Sequence, residues 1–507
     1  MQGFTEAELE TFLDEQMPTY ATDLSELVKI ESVSQDPAKD VNLDAVLDNL
    51  GAKVRVGLRG FETTMLQARD GGRRYPVLFA TFEGEPGAEE VVAYNHADVQ
   101  PEMDLAKWKG EAPFSGAHGY NVIKGRGATD DKGPLLAVLY ALKFLIQRDA
   151  LKNRITLMYE TGEESGSPGI EAVVQEARDR KIIRNPSHVF VSDTEFKEGH
   201  PNDTVSLRGI VTLHLGLSYA SGTIHSGIYG DIVPNPLEIL PTLILHLKNV
   251  WTGQSYVGNA QDLEEDRTDV ATLREAAQYL TAEGLRNAAG AYALRTNDVL
   301  TALKKVGLHP TLTLHNIAGG VEGTGVPASA EASVSMRLVE GQDPEQAVRE
   351  FMQDLNEGFA RYTREEKVPQ LYGGVERAQR SIDPHDPKYK RLIFPGKPCT
   401  IEVEVGHKIG AFKTGYDTPY HRLAHEAYRK AGFEKEPVRV LDGGTIGAMT
   451  ILQKAFGKEL PFVLFALSRD DDGYHQEQEH FHLDHARKAI KAAVHYFAGL
   501  QDVAKTA

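Results

Sequence analysis

The run Val91-Val92-Ala93-Tyr94-Asn95-His96-Ala97-Asp98-Val99-Gln100-Pro101 decides the fold of this 507-residue chain. Its first residues are apolar without alternation, the pattern of a strand covered on both faces. His96 and Asp98 project from where that strand runs out. At a spacing of two on extended backbone their side chains point the same way. An imidazole and a carboxylate so placed can grip one divalent ion or two adjacent ones. The triplet alone carries little information, and four further clusters give it weight.

Each cluster sits beside another buried element. Val77 to Phe82, Ile155 to Tyr159, Val189 to Val191 and Phe462 to Leu467 read as buried strands, and Leu135 to Ile146 reads as a helix that is apolar nearly all round. Gly125-Arg126-Gly127-Ala128-Thr129-Asp130-Asp131-Lys132-Gly133-Pro134 stands at the mouth of that helix. Glu160-Thr161-Gly162-Glu163-Glu164-Ser165 follows the second strand, Ser192-Asp193-Thr194-Glu195 the third, and Asp472-Gly473-Tyr474-His475 the last. Strand ends of one sheet are close in space, and α/β proteins place their sites there. Two histidines and several carboxylates therefore converge, the ligand set for two divalent ions sharing a bridging carboxylate. One glutamate beyond the ligands is needed to take a proton from water and hand it to a leaving amine.

Helices at Phe4 to Glu15, Tyr20 to Ile30, Asn42 to Leu50 and Ile170 to Arg178, with a strand at Val54 to Leu58, complete an α/β layer fold in the first part of the chain. The texture then changes. Val211, Leu213, Leu215 and Leu217 alternate with polar residues, as do Ala332, Val334, Met336 and Leu338, and Ile401, Val403 and Val405. Period two marks half-buried strands, which helices at Leu237 to Lys248 and Glu345 to Phe359 can cover. The reading is an α/β catalytic domain over 1–207 and 412–507, interrupted by a smaller α+β domain over 208–411. The polar stretch Ser255 to Gly290 is expected to elaborate the insert. The outer fold resumes with helices at Pro419 to Ala431, after Gly447 and near Leu483 to Phe497.

Composition narrows the classes of function. The net charge of −18 argues against a nucleic-acid or anionic-membrane partner, since both need a basic face. A single cysteine, Cys399, excludes an internal disulfide and suits a reducing compartment. The N-terminal residues lack a basic segment followed by an apolar run, and Leu135 to Ile146 is too short to span a bilayer. A cytoplasmic protein is expected.

Taken together, His96-Ala97-Asp98-Val99-Gln100-Pro101, the Gly125–Gly133 run, Glu163-Glu164, Ser192-Asp193 and Asp472-Gly473-Tyr474-His475 resemble the M20 metallopeptidases, most of all their carnosinase-like dipeptidase branch. The motifs occur in the same order through nearly the whole chain. The resemblance implies a zinc-peptidase-like catalytic α/β domain with an inserted lid and dimerisation domain. It implies that His96 binds one metal, with Asp98 orienting it from behind, and that Asp130 bridges both metals across a cis Asp130–Asp131 peptide. Glu163 would be the general base, Glu164 and His475 would bind the second metal, and Asp193 would complete the first. His225, in His225-Ser226-Gly227, looks like the lid histidine that reaches the partner subunit's site to stabilise the oxyanion, and Thr324 looks like the threonine contributed with it. Arg337 resembles the lid arginine that grips a substrate carboxylate, and Gly443-Gly444-Thr445 the turn whose hydroxyl and backbone bind that group. His480 and His482 read as helix-start residues.

The resemblance thus implies a homodimeric exopeptidase that hydrolyses dipeptides or short peptides through metal-bound hydroxide and a glutamate base. Two divalent ions per subunit are expected; the donor set suits zinc and also manganese. A deacylase of N-acyl amino acids would carry the same metal site. A catalytically dead scaffold would have lost the base or a ligand, and every such position is present. Ser255 to Gly290 and Phe351 to Lys397 do not map onto the family pattern, so substrate selectivity is open.

Overall fold

A computed structural model describes residues 3–257, 263–364, 392–395 and 400–503. Cys399 and most of the unmapped stretch up to Lys397 lie outside the described residues. The larger of two main sheets has nine strands. At its centre Arg154–Glu160, Glu90–His96, Pro186–Val191 and Phe462–Phe465 run parallel and side by side. All seven residues of Glu90–His96 and all seven of Arg154–Glu160 are buried, which is why these segments lack alternation. The hairpin Glu62–Asp70 and Arg73–Phe82 adds antiparallel strands on one side. Asn202–Leu207, Val438–Asp442 and Phe412–Lys413 extend the other.

Glu6–Val28, Gly133–Gln147, Pro419–Lys430 and Leu483–Val503 bury apolar side chains in a core on one face of this sheet. Ile170–Asp179 and Gly447–Phe456 pack on the other. Thr5 and Glu8 form a reciprocal capping box at the start of the first helix, satisfying donors that the helix cannot. That helix is continuous where two were expected, because Pro18 sits inside it without ending it. The expected strand Val54 to Leu58 is instead the last turn of the helix Asp40–Gly57. Leu43, Val46, Leu47, Leu50 and Val54 are buried at helical spacing while Val56 is exposed, so the 3.6-residue period overrides the local β-branched alternation.

The chain leaves the large sheet after Leu207 and enters a five-stranded antiparallel sheet at Gly209. It returns between Ile409 and Phe412. In the smaller sheet Gly209–Ser218 lies centrally between Ser329–Leu338 and Thr400–Ile409. Val211, Leu213, Leu215 and Leu217 face the helices Pro236–His246 and Pro344–Arg364, as their alternation requires. The polar stretch after Ser255 departs from expectation. Its helix Arg267–Ala276, together with Val299–Gly307, packs against Val438–Asp442 of the large sheet. Leu273, Ala276, Leu280 and Leu303 share a core with Val205, Val438, Val440 and Leu441. These helices belong to the edge of the outer sheet because its last strands would otherwise present apolar side chains to water.

Candidate metal centre

The four central strands run parallel, so their carboxyl ends open on one side, and the loops leaving them carry the acids and histidines. His96 is the final residue of its strand and fully buried. The loop after Glu160 carries Glu163 and Glu164, the residues after Val191 lead to Asp193, and the chain after Phe465 reaches His475. Asp130 arrives from a tight turn before Gly133–Gln147, and the Asp130–Asp131 peptide is cis. Gly133 is required here: a Cβ would lie 2.4 Å from the carbonyl oxygen of Ala128 and 2.6 Å from the ring of Phe481.

Asp130 is the hub. Its Oδ1 lies 3.0 Å from His96 Nε2 and its Oδ2 lies 2.9 Å from His475 Nε2. Asp193 Oδ2 is 3.7 Å from His96 Nε2, and Glu164 Oε2 is 3.3 Å from His475 Nε2. Two three-residue sets, His96–Asp130–Asp193 and Asp130–Glu164–His475, therefore share one carboxylate, each with its potential ligand atoms within 4.8 Å of one another. Both fit a divalent cation by chemistry. Burial, with Asp130 and Glu164 nearby, pushes Asp193 up to about 7. Burial likewise raises Glu163 well above the carboxylate range, reinforced by Glu164, Asp193 and Asp98. Burial opposes charge on His96, yet Asp130, Asp193 and Asp98 raise it well above its ordinary value. Burial also opposes charge on His475, but Asp130 and Glu164 push it up to about 12. Glu164 Oε1 is buried without a hydrogen-bond partner. Crowded carboxylates with an orphaned oxygen make a cage for positive charge.

Supporting residues set these groups. His96 Nδ1 lies 3.0 Å from the backbone carbonyl of Asp98, which fixes the ring and leaves Nε2 for Asp130. The Asp98 carboxylate accepts the backbone N–H groups of Glu163 and Glu164, at 3.2 and 3.0 Å. It clamps the glutamate loop more closely than it touches the imidazole, at 3.5 Å. Three contributors were not singled out from sequence. Glu479, fully buried, accepts the N–H groups of Gly127, Thr129 and Asp130 and pairs with Arg126 at 2.8 Å. Asn95 donates to Asp131 and to Ser192, both at 2.7 Å. Gln100 donates to Glu164 at 2.5 Å. Glu479 hides in Gln476-Glu477-Gln478-Glu479, which reads as a solvated run; Asn95 and Gln100 flank the His96 motif, and that position was the available signal.

The residues expected in a lid fall into two groups. His225 pairs with Gly325 in a two-stranded ribbon, which brings it beside Thr324. Both are exposed, and among the described residues no hydrogen bond or ion pair joins either to the metal-site side chains. Arg337 Nη1 donates to Thr445 Oγ1 at 2.6 Å, and that hydroxyl donates to the carbonyl of Arg208 at 2.5 Å. The N–H groups of Gly443 and Gly444 are turned onto Asp442. The turn expected to meet a ligand through its hydroxyl and backbone thus spends those donors internally and orients Arg337. His480 and His482, expected at a helix start, lie on the short strand His480–His482, and His482 Nδ1 is 2.7 Å from Asp472 Oδ1.

An α/β sheet whose strand ends gather carboxylates and imidazoles around a shared aspartate defines a metal-dependent hydrolase. The chain belongs to peptidase family M20/M25/M40, whose model matches residues 92–498, and is a metallopeptidase. It is 25% identical over 505 residues to the Cys-Gly metallodipeptidase dug1 of Schizosaccharomyces pombe, covering 97% of each chain. It is 25% identical over 486 residues to the human Beta-Ala-His dipeptidase, covering 92% of this chain and 87% of that one. The solved structure of the dipeptidase Dug1p from Saccharomyces cerevisiae shares the fold, with a TM-score of 0.81 over 99% of both chains at 19% identity. Among the described residues no helix is long and apolar enough to cross a membrane.

Proposed function

We propose that this chain is a dinuclear exopeptidase that cleaves dipeptides or short peptides, with Glu163 as general base. One observation carries the reading: Asp130 offers one oxygen to the His96 set and the other to the His475 set. Relatives named for hydrolysis of Cys-Gly and of Beta-Ala-His, similar along nearly the full chain, support a dipeptide substrate. In this reading His96, Asp130 and Asp193 hold one divalent ion, and Asp130, Glu164 and His475 hold the other, zinc or manganese. When bound, such ions polarise the scissile carbonyl and acidify a water.

The chain's own residues do the rest. The Glu163 carboxylate takes the proton of the attacking water and delivers it to the departing amine. Its raised proton affinity suits the second half of that task. Asp98 holds the Glu163–Glu164 backbone in place. Arg337, oriented by Thr445, receives the substrate's carboxylate through its guanidinium fork. His225, with Thr324, serves the site of a second copy, where an imidazole N–H steadies the oxyanion. A homodimer through the insert has support from exposed apolar residues beside His225, namely Ile228, Tyr229 and Ile232. The edge strand Thr311–Ala318 likewise exposes Leu314 and Ile317.

The test is hydrolysis of a dipeptide panel by metal-stripped protein refilled with zinc or manganese. Turnover that returns with metal supports the reading. Cleavage of N-acyl amino acids alone would replace it with a deacylase, and failure to bind metal would end it.

A further inference from the structure

A cavity of about 920 Å³ lies behind the Gly443–Thr445 turn, between the smaller sheet and the helix Val299–Gly307. Lys413 on its wall is held by Asp269 and Glu340, and four further cations line it: Arg208, Lys248, Arg295 and Lys305. None of these four has a carboxylate within ion-pair distance among the described residues. Each donates only to neutral oxygen. Lys248 Nζ meets the carbonyl of Leu312 at 2.5 Å and Lys305 Nζ that of Thr252 at 2.8 Å. Arg295 reaches the carbonyl of Val250 at 3.3 Å, while Arg208 makes long contacts to the Gly443 carbonyl and the Thr311 hydroxyl, 3.4 and 3.5 Å.

Most acids of the opposite wall are already engaged. Glu265 is paired with Lys304 and His309, Asp269 and Glu340 share Lys413, and Asp266 caps the helix Arg267–Ala276; among these acids only Glu264 has no hydrogen-bond or ion-pair partner among the described residues. In a chain of net charge −18, a pocket that gathers four cations free of ion-pair partners among the described residues is a site for negative charge.

Arg208 links this pocket to the proposed substrate site. Its carbonyl accepts from Thr445, whose hydroxyl orients Arg337. Its side chain runs along the turn so closely that a Cβ on Gly443 would meet Nη2 at 2.7 Å. Burial and the neighbouring Arg337 push the Arg208 guanidinium down to about 10, against the pull of Asp442, which is itself paired with Lys197.

We propose that Arg208 and the cations behind it select a second negative charge on the substrate, the acidic side chain of the residue whose carboxylate Arg337 receives. The preferred substrates are then dipeptides ending in aspartate or glutamate. This rests on the exopeptidase reading above and deepens it.

The experiment is steady-state hydrolysis of Ala-Glu, Ala-Gln, Ala-Asp, Ala-Asn and Ala-Ala by the metal-loaded enzyme and by Arg208→Gln and Lys305→Gln. The wild type should favour each acid over its amide by at least about tenfold in kcat/KM, expressed mainly in KM. That ratio should shrink toward one in both variants. Lys305→Gln, at a separate position of the lining, keeps the test decisive if Arg208→Gln fails to fold. Equal cleavage of acid and amide would overturn the pocket and leave the peptidase standing. Stimulation by inorganic phosphate without an acidic preference would reassign the pocket to a free anion and overturn the proposal. No cleavage of any dipeptide would overturn the exopeptidase reading itself.

Discussion

Single side chains carry the chemistry, and two of them set separable expectations. Glu163→Gln keeps the shape of the loop and its contacts with Asp98 but removes the proposed proton acceptor. Its kcat should fall by about 10²–10⁴, with an unchanged thermal melt and unchanged metal content; a variant retaining most of its activity would remove Glu163 from the mechanism. Glu479→Ala should do the reverse and act on stability. It strips Arg126 of its ion-pair partner in a buried site and leaves the N–H groups of Gly127, Thr129 and Asp130 without their acceptor. A loss of about 3–5 kcal/mol in urea unfolding is expected. The contrast also explains what could be read in advance. His96, Asp130, Glu163, Asp193 and His475 declare themselves because each follows or precedes a strongly apolar element. Glu479 does not, since its neighbours are polar and its burial comes from a loop folding back over the Gly125–Gly133 run.

Elements were legible where burial was complete or alternation strict, and illegible where two periods competed. The strand Glu90–His96 and the alternating Gly209–Ser218 read directly. Val54 to Leu58 failed because five residues match a strand while the preceding turns match a helix, and the longer pattern won. The helices expected at Phe4 to Glu15 and Tyr20 to Ile30 are likewise one, Glu6–Val28, which runs through Pro18 without a break. Junctions between elements hold a further expectation. Gly209 stands where the chain crosses from one sheet to the other, and a Cβ there would lie 2.4 Å from the carbonyl of Ile409 and 2.7 Å from the Ala411 nitrogen. Both neighbours are backbone and cannot step aside. Gly209→Ala should therefore cost about 1–3 kcal/mol in denaturant unfolding; a neutral result would mean that the two crossings slide freely.

At the scale of the whole molecule, two buried histidines make their own contribution to how stability depends on pH. Burial holds His188 down to about 3 and His485 down to about 4. Both stay neutral in the folded chain while the unfolded chain binds protons below about 6.5. Between those values the unfolded state carries more protons at these two positions, so their contribution to stability is lost as pH falls, by up to about 1.4 kcal/mol per pH unit for each histidine. His188→Gln should flatten the dependence of chemical-denaturation midpoints between pH 6.5 and 4. Assembly makes its own prediction. Mixing and reassembling Glu163→Gln with His225→Ala subunits, each inactive alone, should restore about a quarter of wild-type activity, because half the dimers are mixed and each contains one intact site. No recovery would confine each site to its own chain. The helices that leave the smaller domain to cover Val205, Val438, Val440 and Leu441 bear on a different matter, the molecule's modularity. Excising 208–411 would not yield a minimal peptidase, because the excised piece carries part of the host's own wall. The two domains are interleaved, and a transplanted insert would have to bring its buttress with it.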